Sequence, residues 1–287
     1  MPERVEVLRE RSETVRSVPA AKTPVRRSRI SRRPAWLSDF AVGAALPLLV
    51  LIVWETAGAL GYLSSDFLPT PLVIAEALRE LAVSGQLAHH LGISVWRAAL
   101  GFVIGGGLGL LFGLWAGFSR RTEHVVDPSI QMLRLVPHLA IAPLIILWFG
   151  FGEVSKVLII AKGAFFPLYI HTLMGIRGVD NKLFEVTRVL GFSRSKQIVR
   201  LVIPAAMPGI LLGLRLSLAL SWLGLVVAEL LGSQAGIGFL INVAKQNSVT
   251  ENIFVGVIIF AVVGKLVDSL VRLLERRLLR WRDGYLG

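Results

Sequence analysis

VDNKLFEVTRVLGFSRSKQIVRLVIP, residues Val179–Pro204, is a basic, amphipathic stretch set between two apolar segments long enough to cross a membrane. Asp180 or Asn181 can cap a helix running to about Leu190, and Gly191 can take the left-handed conformation that ends it. Ser193 then caps a second helix through about Val202, with Pro204 placed as the N-terminal proline of the next span. Leu183, Phe184, Val186, Val189 and Leu190 give the first helix an apolar face. A helical, basic loop inside a lipid-soluble chain predicts a docking element, gripped from the cytoplasmic side.

The rest of the chain sets that loop in a membrane. Of 287 residues, 54% are hydrophobic and 17% charged, and the mean hydropathy is +0.67. A soluble domain would carry about a quarter charged residues. Apolar runs over 40–62, 92–118, 124–150, 154–176, 205–232 and 253–274 each reach the roughly 20 residues a spanning helix needs. Backbone groups in a bilayer must be satisfied internally, so an all-α polytopic membrane protein with six transmembrane helices is expected. With no cysteine, disulfides and thiolate metal sites are excluded.

Basic residues orient the spans. The tail to Trp36 carries ten Lys and Arg, whereas residues 63–91 hold only Arg79. Arg120 and Arg121 follow the second run, six basic residues lie between Arg177 and Arg200, and five between Arg272 and Arg282; Lys245 alone precedes the last run. This alternation places both termini in the cytoplasm. The net charge of +12 is then mostly a topology signal, and nucleic acid is not an expected partner. Residues 1–36 are expected to form a basic, disordered cytoplasmic tail that touches membrane lipid, with residues 37–287 as one transmembrane domain. Outside, Leu68-Pro69-Thr70-Pro71 reads as a turn and Leu72–Val83 as a short surface helix.

Small residues recur every four positions at Gly101, Gly105, Gly109, Gly113 and Gly117, and again at Gly209, Gly213, Ser217 and Ser221. Such stripes let helix backbones approach closely, for static packing or for sliding. Ionisable and aromatic groups inside the spans are candidate pathway residues: Arg134, His138 and Trp148 in the third run, and Arg215, Ser217, Ser221, Trp222 and Glu229 in the fifth. Pro137 and Pro143 are expected to interrupt the third run, and Lys162 lies midway along the fourth. Arg215 and Glu229 stand 14 residues apart, about 21 Å along a helix, too far to pair. A fixed arginine suits an oxyanion; internal charge balancing is the plainer alternative.

No catalytic residue, metal-ligand set or nucleotide-binding loop is found. His89 and His90 lack metal spacing, and no G-x-S-x-G, H-E-x-x-H or G-x-x-x-x-G-K-[ST] occurs. Any ATP used must be bound by another polypeptide.

The loop carries a resemblance. Glu185, Val186, Thr187, Gly191, Leu201, Ile203 and Pro204 stand at the spacing of the E-A-A-x-x-x-G-x9-I-x-L-P loop of binding-protein-dependent ABC-transporter permeases, with Val186 and Thr187 where the family has alanines, and Leu201 and Ile203 for its isoleucine and leucine. Outside the loop, Leu68–Pro71, Ser129–Arg134, Val136–Ala140, Pro143–Gly150, Gly264–Leu266 and Leu274–Arg276 resemble the sulfonate, taurine, nitrate and bicarbonate subgroup, most of all its aliphatic-sulfonate permeases. The resemblance implies an inner-membrane homodimer, a second copy of the chain being one partner. Two cytoplasmic ATPases carry the ATP-Mg and grip the 179–204 loop as a coupling helix, and a periplasmic or lipid-anchored binding protein delivers substrate. No cofactor is bound by the chain itself. A secondary transporter and a membrane scaffold are the competing readings; the first needs no ATPase and the second transports nothing.

Overall fold

The computed structural model describes residues 35–279 and Trp281, with the side chains of 35–42 and 138–139 set apart. The expected tail thus lies almost wholly outside the described residues. Every regular element among the described residues is helical: α1 (Ala35–Ala59), α2 (Pro71–Val83), α3 (Gln86–Phe118), α4 (Arg120–Leu135), α5 (His138–Phe149), α6 (Glu153–Arg177), α7 (Asn181–Val189), α8 (Arg194–Gln197), α9 (Ile203–Gly232), α10 (Ile237–Gln246) and α11 (Thr250–Leu278). Among the described residues, those up to Val50 form one compact unit and those from Leu51 onward a second, which holds every site described below.

Among the described residues, four helical runs are long and apolar enough to cross a bilayer: Gln86–Phe118, Glu153–Arg177, Arg194–Gly232 and Thr250–Leu278. The expected third span is two helices. α4 and α5 meet at a bend of 102°, and counting them as one broken span raises the number to five. The break has a local cause. Val136 precedes a proline, whose ring disfavours the helical conformation for it, and it is extended at φ −67°, ψ 118°. Pro143 does not interrupt the chain as expected, since it lies inside α5. The segment matching the first expected span is one helix of 25 residues, Ala35–Ala59, and it is apolar over Gly43–Ala59 among the residues whose side chains are described.

α6 is the axis of the bundle and makes its most extensive contacts with α3 on one side and α9 on the other. The glycine stripe of α3 explains the first of these. A β-carbon on Gly113 would fall 2.8 Å from Thr172 Cβ and from the Tyr169 carbonyl, and one on Gly117 would fall 2.6 Å from Ile176 Cδ1. On Gly105 and Gly109 it would strike the backbone of Ala161 and Phe165. The second stripe works in the same way. Gly209 lies against Gly175, and a β-carbon on Gly213 would fall 2.7 Å from His171 Cβ. With no aqueous hydrophobic drive between spans, this close van der Waals approach is what holds them. Both stripes are therefore packing faces in this conformation.

The expected surface helix is α2. Pro71 sits in its first turn, and Ile74 and Ala77 bury against Val255 of α11, with Trp54 alongside.

The stripe is testable at paired positions. Gly105→Ala should destabilise the protein by about 1–3 kcal/mol, because the clash is with backbone that cannot rotate away. Gly107→Ala meets nothing within 4 Å and should be neutral or gain about 0.5–1 kcal/mol. Thermal unfolding in detergent compares the two; equal effects would remove the packing argument.

Candidate functional site

The 179–204 loop is built much as its residues dictate. Asp180 accepts a hydrogen bond from the Lys182 amide at 2.9 Å, satisfying one free N–H of the first turn of α7. At the other end the Phe192 amide donates to the Thr187 carbonyl at 2.9 Å and the Gly191 amide to that of Arg188 at 3.0 Å. These two bonds make a Schellman motif, which needs a left-handed residue, and Gly191 supplies it at φ +66°. Ser193 caps α8, accepting from the Lys196 amide at 3.4 Å.

One expectation fails here. Pro204 does not follow a break: α8 passes through a π-helical turn, Ile198–Val202, directly into α9, giving one helical run from Arg194 to Gly232. The Ile203 amide donates to the Ile198 carbonyl five residues back. Widening the turn just before a proline is one way a helix accommodates its missing N–H and bulky ring.

α7 has two faces. Thr187 is buried and Phe184 half-buried, and Phe184 packs on the cluster of Ile176, Val179, Val202 and Ala206. Leu183, Val186, Val189 and Leu190 are exposed, as is Glu185. Of the family-pattern residues, Leu201 and Ile203 are half-buried at the root of the loop and Pro204 lies beside them. The exposed face of α7 is thus Leu183, Glu185, Val186 and Val189, while Thr187, Leu201 and Ile203 lie on the buried side of the loop.

The far end of the bundle carries a charge cluster centred on a residue the sequence reading passed over. Arg97 of α3 is 3% exposed. Its Nε and Nη2 donate to both carboxylate oxygens of Glu153 at 2.6 Å, the planar fork meeting a planar acceptor. Its Nη1 donates to Glu229 at 2.8 Å, to Ser233 Oγ at 3.1 Å and to the Ala235 carbonyl at 2.5 Å. Glu229, fully buried, also accepts from Ser94 Oγ at 2.8 Å and from the Gly238 amide at 2.9 Å. Lys156 adds a second cation, 3.0 Å from Glu153. Two cations and two carboxylates therefore close on one another, tying α3, α6 and α9 to the connection between α9 and α10. Arg97 stands four residues before Gly101, in register with the glycine stripe, which is the signal that could have marked it as buried.

The other candidate pathway residues separate. Arg215 Nε is 2.8 Å from Asp268 of α11, which also pairs with Arg272 at 2.9 Å. Ser217 donates to the Ala164 carbonyl, and Ser221 to that of Ser217 at 2.8 Å, so both hydroxyls face backbone. Trp222 donates to the Phe260 carbonyl at 3.0 Å. Trp148 is exposed near the end of α5. His138 opens α5, and its side chain lies outside the described residues. Arg134, at the end of α4, is exposed and shares a cavity with Lys162. Glu229 and Arg215 stand 14 residues apart on α9, about 21 Å along an ideal helix, and each has its own partner.

The buried cluster predicts a large stability effect. Arg97→Met leaves Glu229 buried without its cation and should cost about 3–5 kcal/mol. A marked fall in melting temperature of the detergent-purified protein is expected; an unchanged melt would mean the cluster does not hold the far end.

Comparison with known proteins fits this architecture. Residues 109–280 match the family model described as binding-protein-dependent transport system inner membrane component. A Bacillus subtilis (strain 168) protein named as an aliphatic sulfonates transport permease is 56% identical over 278 residues, covering 96% of this chain and 99% of that protein. An Escherichia coli (strain K12) protein of the same name is 45% identical over 84% of this chain and 91% of its own length. The taurine transport system permease of Escherichia coli (strain K12) is 33% identical over 88% of this chain and 94% of its own. Among solved structures, an amino acid ABC transporter superposes with a TM-score of 0.59 at 20% identity, over 70% of this chain and 97% of that one, a likeness of fold. By motif, fold and relatives, the chain belongs to the family of binding-protein-dependent transport system inner-membrane components.

Proposed function

We propose that this chain is the permease subunit of an ATP-driven importer that carries aliphatic sulfonates across the inner membrane. The observation that carries the substrate is the 56% identity, over nearly the whole chain, to a relative named for aliphatic sulfonates, against 33% to one named for taurine. Taurine, itself a sulfonate, is the nearest alternative; nitrate and bicarbonate are further ones.

In this reading two copies of the chain form the translocation unit, each with six spans and both termini in the cytoplasm. Two ABC ATPases bind and hydrolyse ATP-Mg, and an external binding protein delivers the anion. The chain is a transport subunit and performs no catalysis. The exposed apolar stripe of α7 beside Glu185 suits insertion into a groove of the ATPase. ATP-driven closure of the ATPase pair would move α7 and, through the Arg194–Gly232 run, shift the bundle between inward- and outward-facing states.

Two experiments test this. A deletion strain should fail to grow on alkanesulfonates as sole sulfur source while growing on other sources; failure confined to taurine, nitrate or low bicarbonate would reassign the cargo. Glu185→Arg, and separately Gly191→Val at its positive φ, should each lower ATP-driven uptake at least tenfold and weaken co-purification of the ATPase. Normal uptake and association in both variants would remove α7 as the docking element.

A further inference from the structure

The cations inside the helices differ in whether a carboxylate neutralises them. Arg97 and Lys156 share Glu153 and Glu229, Arg177 is 2.6 Å from Glu123, and Arg215 is paired with Asp268. Arg134 and Lys162 have no ion pair among the described residues. Both line one cavity of about 500 Å³, within the roughly 300–1,000 Å³ of small-molecule sites. Among the described residues no Asp or Glu lines it, so Arg134 and Lys162 give its described wall two positive charges with no carboxylate beside them.

The broken third span creates this arrangement. The end of α4 at Val136 leaves a carbonyl without a helical donor, and Lys162 Nζ donates to it at 2.9 Å. That bond holds the ammonium at the break and uses one of its three N–H groups. Lys162 is the tenth residue of the 25-residue α6, about 14 Å from the start of the helix. The remaining wall is chiefly apolar, with Phe166 and Ile170 of α6 facing Leu216 and Leu220 of α9, and His171 is a further titratable group on it among the described residues. Two free cations beside an apolar trough match an anion that carries an alkyl chain.

A cavity of about 410 Å³ at the root of the 179–204 loop also carries cations, Arg120, Arg177, Arg188 and Arg194, but it lies at the loop, away from the break between α4 and α5, and Arg177 is paired with Glu123. Two further cavities lack this pairing of features. The larger, about 810 Å³, has Arg97 and Lys156 on its wall, but Glu153 and Glu229 cancel them. The one beside Arg215, about 230 Å³, has Asp268 in its lining.

We infer that the cavity between α4, α6 and α9 is a binding site of the permease itself for an alkyl-chain oxyanion, with Lys162 and Arg134 taking the anionic head and Phe166, Ile170, Leu216 and Leu220 the chain. This deepens the importer reading and rests on it for the sulfonate class. The site gives the permease its own selection for charge and chain, separate from that of a delivering protein.

The test uses the full-length chain purified in detergent, titrated calorimetrically with 1-pentanesulfonate, methanesulfonate and 1-pentanol as probes. Saturable pentanesulfonate binding is expected, with methanesulfonate and pentanol each at least tenfold weaker. Lys162→Met should weaken pentanesulfonate at least tenfold, and Lys162→Arg should restore most of it. Leu220→Trp, which fills the trough and leaves both cations, should weaken pentanesulfonate while sparing methanesulfonate, and it reads the site even if Lys162→Met fails to fold. Absence of saturable binding, equal affinity for all three probes, or wild-type affinity in Lys162→Met and Leu220→Trp would overturn the inference. Whole-cell sulfonate uptake separates the two failures: uptake with no binding here removes the site and leaves the importer reading, whereas loss of the importer reading appears as no sulfonate uptake by the wild type.

Discussion

The bundle depends on the backbone of α6 being approached to within van der Waals contact from two sides. On the α3 side the approach runs through Gly101, Gly105, Gly109, Gly113 and Gly117, and on the α9 side through Gly209 and Gly213 against Gly175 and His171. Where a lipid-exposed helix gains little by hiding apolar surface, this contact area substitutes for a hydrophobic core. It also explains why large apolar side chains such as Leu111, Leu147 and Leu223 stand exposed without anomaly. The cluster at the far end and the loop at the near end are both hung on this three-helix core.

Charge is distributed along that core in two different ways. At the far end Arg97, Lys156, Glu153 and Glu229 neutralise one another in a closed network that fixes backbone geometry around Ser233–Gly238. Midway, Lys162 faces a carbonyl released by a proline, and no acid follows it. The first arrangement is structural because its two cations and two carboxylates neutralise one another within the chain. The second leaves donors available to something that is not part of the chain.

Much of the loop was legible in the sequence because its signals are local. Asp180, Gly191 and Ser193 act on backbone groups within three to five residues, so their roles follow from spacing. The packing stripes were equally readable, since a four-residue period needs no partner to be recognised. What sequence could not supply was pairing across helices. Arg215 and Glu229 looked alike as buried charges in one span, yet Asp268 answers the first, and the second is consumed by Arg97, Ser94 and the Gly238 amide. Arg97 escaped notice because its importance lies 132 residues away in the chain. Likewise Pro137 and Pro143 are equivalent by residue type, but only Pro137 follows a residue that has left the helical region.

The π turn at Ile198–Val202 joins α8 and α9 into a single rod of 39 residues, about 58 Å long. A rod has no joint at which displacement is lost. In the proposed importer, a push on Arg194 would be carried past the trough at Leu216 and Leu220 toward Gly232, near which Glu229 is pinned by Arg97. The pinned end then serves as the fulcrum, and the wall of the anion cavity lies on the arm between them. In the proposed importer, motion of the loop would therefore bear on the width of the cavity, with the proline-adjacent wide turn a place along the run where its winding departs from the α-helix.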